Sequence, residues 1–246
     1  MTTSLRGRTV LIAGATSASG LAATRALVSA GALVIAVGRD PAKLAALAAT
    51  AGVQDASPDA AGSQRVEHAE PAGARVLACD LGDEGEVARL AERVHAEAGS
   101  IDGILHLVGG WRGGGGLAGQ SDDDFRFLEG SLTALRHVSR AFDADLRASD
   151  AARCAIVSST AVARPLAGGA NYAAVKAASE AWTRAVAQGF AKAARDAGEP
   201  LRAASVVFRV SALAGLEATL ADAFVGLWDQ DAATVNDTIV TLAAGG

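Results

Sequence analysis

Little in this chain of 246 residues is suited to holding a metal or a covalent cross-link. It has two cysteines, Cys79 and Cys154. Both fall in apolar runs of strand character, so they read as buried free thiols and not as a disulfide or a metal site. The four histidines, His68, His95, His106 and His137, are scattered without metal-ligand spacing, which argues against a zinc site. No apolar run approaches the ~20 residues that cross a bilayer. The amino terminus lacks a basic segment followed by an apolar one, so the sequence reads as cytoplasmic, with no membrane partner. Nor is there an excess of positive charge: the net charge of −5 leaves no electrostatic footprint for nucleic acid.

Hydrophobic residues, in contrast, make up 50% of the chain, ample for one large core, and we read 1–246 as a single domain. Strand-like apolar runs alternate with helical patterns, which predicts an α/β fold: a doubly wound, Rossmann-like parallel sheet, seven-stranded, with helices on both faces. The expected strands are Arg8 to Ala13, Leu33 to Val37, Arg75 to Cys79, Gly103 to Val108, a run ending at Ser158, Ala203 to Phe208, and Thr238 to Leu242. Asp40 and Pro41 offer a cap and a first-turn proline for a short helix through Leu47. Asp83 with Glu86 resembles a capping box. Asp122 to Asp124 favour a helix start, after which Phe125, Leu128, Leu132, Leu135 and Val138 recur at core-facing helical spacing. Residues 50–73 lack periodicity and read as a surface-loop insertion.

Two local patterns carry chemistry. Tyr172 and Lys176 are one helical turn apart, so both project from one face, and the run Ala155, Ile156, Val157 delivers Ser159 at a strand end. A tyrosine titrates near 10 and becomes a proton carrier at neutral pH only where a nearby cation stabilises its phenolate; Lys176 is placed to be that cation. Alone, Tyr-x3-Lys is a common accident on helices. The second pattern, Gly14 through Gly20 at the first strand-to-helix junction, changes the weighing. Small residues there let backbone approach a pyrophosphate, and the helix start offers free N–H groups to the anion.

With both patterns in place the chain resembles the short-chain dehydrogenase/reductase family over essentially its whole length. The family's Gly-x3-Gly-x-Gly turn falls on Gly14, Ala18 and Gly20, and its catalytic Ser, Tyr and Lys fall on Ser159, Tyr172 and Lys176. The resemblance implies cofactor contacts from Gly14, Thr16, Ser17, Ser19, Gly20, Arg39, Asp80, Leu81 and Gly109, together with Tyr172 and Lys176. Asp80 would hydrogen-bond the adenine; capping a turn is the plainer alternative. Where NAD-dependent members end the second strand on an acidic residue this chain has Gly38, followed by Arg39, which can pair with a phosphate. NADP(H) is therefore the expected cofactor and NAD(H) the alternative. Ser17 stands where many NADP-dependent relatives have arginine.

Three positions depart from the family pattern. Ser131 occupies the place of the catalytic asparagine, His106-Leu107-Val108-Gly109 replaces Asn-Asn-Ala-Gly, and Phe208-Arg209 replaces a Pro-Gly that opens the substrate lid, here shortened to about 209–220. A structural role for His106, hydrogen-bonding main chain, is the expected one. Gly109 to Gly116 begins where the family places nicotinamide and substrate; its glycines predict a flexible loop. Trp111 and Arg112 are candidate substrate contacts, to an aromatic or anionic group, or else an exposed loop tip. The expected activity is hydride transfer between NADP(H) and a small-molecule carbonyl or alcohol, with Tyr172 as proton donor and acceptor. A dinucleotide-binding protein without redox activity is the competing class. Broad apolar stripes on the helices around Leu128 to Val138 and Trp182 to Phe190 predict a homodimer or homotetramer.

Overall fold

The computed structural model describes residues 3–51 and 72–243. Seven strands form one sheet in the order β3-β2-β1-β4-β5-β6-β7. They are β1 Thr9–Ala13, β2 Leu33–Gly38, β3 Gly73–Ala78, β4 Gly103–His106, β5 Arg153–Ser159, β6 Ala204–Val210 and β7 Thr238–Thr241, and every pairing is parallel. Successive side chains of a strand face opposite sides, and both sides are apolar. Val10, Ile12, Val34, Leu105 and Phe208 join one core with Leu27, Leu220 and Phe224. Leu11, Ile35, Val37 and Ile104 join a second with Val87, Leu90, Val138 and Phe190. A parallel sheet needs this double cover, which is why its strands read as continuous apolar runs.

The helices are α1 Ala18–Ser29, α2 Pro41–Ala51, α3 Glu84–Ala98, α4 Asp122–Ala141, α5 Asp143–Ala148, α6 Ala170–Ala197, α7 Glu217–Val225 and α8 Ala232–Val235. Their starts follow side-chain caps: Ser17 accepts from the Gly20 N–H, Asp83 from Glu86 and Ser121 from Asp124. Only half of the expected capping box forms on α3. The Glu86 carboxylate bypasses Asp83 and takes the Asp80 N–H at 2.7 Å, tying the helix to the end of β3. On α4, Leu128, Leu135 and Val138 are buried, whereas Phe125 is 38% exposed, because the buried part of this helix begins only at Leu128. The short α5 lacked enough length to show periodicity in the sequence.

Strand ends differ from expectation where they matter for the site. β4 stops at His106, and Leu107 and Val108 continue past the turn at Gly14. β6 runs on through Arg209, which pairs in register with Ser158 on one side and Thr241 on the other. Arg209 is thus part of the sheet and not the start of a lid. The expected insertion at 50–73 lies, for 52–71, outside the described residues; Thr50 and Ala51 end α2, and Gly73 opens β3. Since β1 has β2 on one side and β4 on the other, successive connections leave it in opposite directions, and a crevice opens at the carboxyl ends of these strands.

Candidate active site

A cleft of about 1090 Å³ occupies that crevice. Of the residues expected to hold a cofactor, Gly14, Thr16, Ser17, Arg39, Asp80, Leu81 and Gly109 line it, as does Ser131. Gly14 has φ +86°, and a Cβ there would lie 2.9 Å from the Val108 nitrogen, so the turn after β1 nearly touches the segment after β4. Ser19, Gly20, Tyr172 and Lys176 are not on the wall; the last two stand beyond its end, and the first two are held elsewhere. Ser19 is buried at 4% exposure. Gly20 packs so closely on the turn that its Cβ would lie 2.1 Å from the Ala15 carbonyl oxygen, a role in helix-to-strand packing. Ala18, which replaces the middle glycine, is the exposed first residue of α1.

At the far end of the cleft Arg39 is exposed, and Lys43 from the first turn of α2 lines the same wall. Lys43 was missed in the sequence, although its place in the first turn of the helix that follows Arg39 was a usable signal. Asp40 does not oppose them, for its carboxylate accepts the N–H groups of Ala42 and Lys43 at 2.9 and 3.2 Å. Asp80 serves as a turn cap, accepting the Gly82 N–H at 3.0 Å, and it also lines the cleft. Arg126 and Phe127 of α4 complete the opposite wall, and neither was foreseen.

Ser159, Tyr172 and Lys176 meet at the near end, reached from the cleft at Gly109, where a Cβ would lie 3.6 Å from Lys176 Nζ. Strand β5 ends on Ser159, whose Oγ accepts the Ala161 N–H at 3.1 Å. Tyr172 stands in the first turn of α6, and Lys176 one turn later donates to the Val157 carbonyl at 2.8 Å, with Nζ 5.8 Å from the tyrosine ring centroid. Burial pushes the Tyr172 phenol above its ordinary value, and a hydrogen bond with Ser159 partly opposes it. The net shift is thus opposite to the depression expected from Lys176. Burial lowers Lys176 itself to about 8, with the Glu180 carboxylate pulling the other way.

Ser131 turns its hydroxyl onto its own helix, donating to the Leu128 carbonyl at 2.7 Å. Its main-chain carbonyl instead meets His106 Nε2 at 3.1 Å. The His106 ring therefore carries its proton on Nε2, because a carbonyl can only accept. Burial, with the Lys176 charge, lowers His106 to about 3, so it is a neutral main-chain brace.

The segment from Gly109, expected as a flexible loop, carries no regular secondary structure up to residue 114 and passes close to Gly168. Gly114, Gly115 and Gly116 have φ of +124°, +64° and +64°, and a Cβ on Gly113 would lie 2.4 Å from the Gly168 carbonyl oxygen. These glycines satisfy a left-handed path and a close backbone contact. Trp111 is 61% exposed. Arg112 packs on the cleft-lining Phe127: its guanidinium lies 3.9 Å over the ring and donates to the Trp111 carbonyl, with Asp124 3.9 Å away. Among the described residues no cluster of His, Cys, Asp and Glu could hold a metal, and no helix is long and apolar enough to cross a membrane.

Comparison with known proteins agrees with this arrangement at the level of family and fold. The short chain dehydrogenase family model matches residues 8–194. A short-chain type dehydrogenase/reductase from Mycobacterium ulcerans superposes with a TM-score of 0.77 at 19% identity, over 97% of this chain and 89% of that one. L-Sorbose reductase from Gluconobacter frateurii, solved with NADPH and L-sorbose, gives 0.77 at 17% identity over 100% and 98%. An NAD+-bound xylitol dehydrogenase gives 0.78 at 16% identity over 98% and 99%. Identities this low speak to the fold alone. No curated protein matches the chain.

Proposed function

The chain belongs to the short-chain dehydrogenase family, and from that premise we propose that it is an NADP-dependent oxidoreductase interconverting a small-molecule carbonyl compound and its alcohol. The observation that carries this reading is the convergence of Ser159, Tyr172 and Lys176 beside Gly109, at the end of a cleft whose other end holds Arg39 and Lys43. Bound NADPH supplies hydride to the carbonyl carbon. Tyr172 gives its phenolic proton to the carbonyl oxygen, and takes it back in the oxidative direction. Ser159 holds that oxygen by a hydrogen bond. Lys176, fixed on the Val157 carbonyl, sets its charge where it offsets the cost of a phenolate in a half-buried site.

Arg39 and Lys43 support NADP over NAD. Gly38 provides no carboxylate for a ribose, and Arg39 and Lys43 carry no ion pair among the described residues, with Asp40 turned into its helix. Ser131 takes part through its backbone, held by His106. A homodimer or homotetramer is part of the proposal, and light scattering showing a monomer at micromolar concentration would remove it. No observation favours a non-redox reading. The deciding experiment titrates the protein with NADPH and NADH by nicotinamide fluorescence, then offers ketones and aldehydes to the tighter complex. Cofactor oxidation that disappears in Tyr172→Phe while NADPH still binds supports the reading; unchanged turnover in that variant overturns it.

A further inference from the structure

The helix that carries Tyr172 begins without a cap of its own. Its N-cap is Gly169, which has no side chain to take the free N–H groups of the first turn. One of them is satisfied from another part of the fold: the Asn171 N–H donates to Gln120 Oε1 at 3.1 Å. The other end of the same amide faces three carbonyl oxygens. Gln120 Nε2 donates toward Gly114 at 3.0 Å, Gly168 at 3.1 Å and Gly116 at 3.3 Å. The orientation of the amide is fixed by these partners, since reversing it would set its oxygen against three carbonyls and its nitrogen against an N–H. Around it, the Gly114 N–H donates to the Gly168 carbonyl at 2.7 Å, and Asn171 Nδ2 donates to the Ser121 carbonyl at 3.1 Å.

We propose that Gln120 is a positioning residue: it clamps the glycine-rich segment at 113–116 to the turn from which Tyr172 projects, so that the turn bearing Tyr172 is preformed. The glycines are the complement of this clamp. Their left-handed path brings the Gly114 and Gly116 carbonyls to one point, and the missing Cβ of Gly113 lets the segment meet Gly168. Tyr172 follows Asn171 directly, so the cap that Gln120 supplies also sets the turn holding the phenol. The clamp rests on these contacts alone, and only its consequence for turnover rests on the proposed function.

Two variants separate the ends of the amide. Gln120→Leu removes both, whereas Gln120→Glu keeps an acceptor for Asn171 and turns the donor end into a repulsive one. Amide hydrogen exchange, resolved by residue, reports local opening. In Gln120→Leu the Gly114 and Asn171 amides should exchange about tenfold faster, the scale of a lost helix cap, with the β1 amides unchanged. In Gln120→Glu only Gly114 should quicken. Unchanged exchange at both amides in Gln120→Leu, or an equal rise throughout the molecule, overturns the clamp. For catalysis, kcat for the carbonyl substrate should fall in both variants with NADPH affinity unchanged, as expected of a displaced proton donor; an equal loss of NADPH affinity, or an unchanged kcat, would overturn the positioning role. If the wild-type protein turns over no carbonyl compound the proposed function fails, and the exchange comparison still decides the clamp.

Discussion

Arg209 lays its guanidinium along the carboxylate of Glu180, with Nε 2.8 Å from Oε1 and Nη2 2.6 Å from Oε2. The Ser158 hydroxyl, 2.6 Å from Oε1, adds a third donor. Glu180 is buried on the same helix face as Lys176, one turn further on, so the pair lies directly behind the reacting residues. Breaking a fully buried pair by removing one partner costs about 3–5 kcal/mol, because it strands the other charge; here Arg209 keeps 21% of its side chain in solvent, so the cost falls below that range. Arg209→Met should therefore lower stability measurably in chemical denaturation, by less than a fully buried pair would, and Arg209→Met combined with Glu180→Leu should recover much of the loss.

The same carboxylate predicts an acid limb. Burial alone pushes Glu180 up, but the hydrogen bonds from Arg209 and Ser158, with the Arg209 charge, bring it below its ordinary 4.5. A carboxyl group depressed by folding contributes stability above its unfolded value and loses it as pH falls through the folded value. Unfolding free energy should therefore decline as pH drops below about 4.5, and the decline should be shallower in Glu180→Gln. An identical acid limb in that variant would show that Glu180 is not its source.

Tyr172 is the single tyrosine of the chain, so phenolate absorbance reads the proposed proton donor alone, without substrate. Burial raises its pKa above the ordinary 10.0 and the hydrogen bond with Ser159 lowers it. Titration of the folded protein should show a midpoint above 10.0. Ser159→Ala should move it further up, whereas Lys176→Met should leave it nearly unchanged, because Lys176, lowered to about 8, has already lost its proton in that range. A midpoint at or below the ordinary value would mean that the phenol is less buried than described.

How far these features could be read from sequence depends on how local their cause is. The strands were legible because a parallel sheet buries both faces, leaving runs such as residues 10–13 and Leu33–Gly38 without a polar position. Ser159, Tyr172 and Lys176 were legible because helical periodicity and one strand end suffice to place them. Arg209 was not: its partner Glu180 lies 29 residues earlier, and only the register of β6 beside β5 shows that it stays in the sheet. Gln120 left no signal either, because its partners at Gly168 and Asn171 are about fifty positions away and are mostly backbone.

Cofactor choice should respond to the two cations at the far end of the cleft. A hydrogen bond to a charged group contributes about 1.5–3 kcal/mol, so Arg39→Ala should weaken NADPH at least tenfold and leave NADH nearly unchanged. Lys43→Ala should act in the same direction by a smaller factor, since an exposed lysine is a solvated point charge. Binding constants for both nucleotides decide this, and equal losses for NADPH and NADH would remove the phosphate role of Arg39.

The glycine turn gives a final contrast, because its three family positions do different work here. Gly14→Ala would force φ +86° on a residue with a side chain and set its methyl 2.9 Å from the Val108 nitrogen, where backbone must move. That strain costs on the order of 1–3 kcal/mol, and it falls on the stretch of wall where the turn after β1 meets Leu107 and Val108. Gly20→Ala is more severe, since its Cβ would overlap the Ala15 carbonyl at 2.1 Å and drive α1 off the sheet. Ala18→Gly, which restores the family residue, should change little: Ala18 is exposed at the first position of α1, where Ser17 already supplies the cap. Thermal denaturation and NADPH affinity should therefore order the variants as Ala18→Gly near wild type, then Gly14→Ala, then Gly20→Ala. A gain of cofactor affinity in Ala18→Gly would instead mean that the alanine methyl displaces the turn, and that the family's middle glycine is missed.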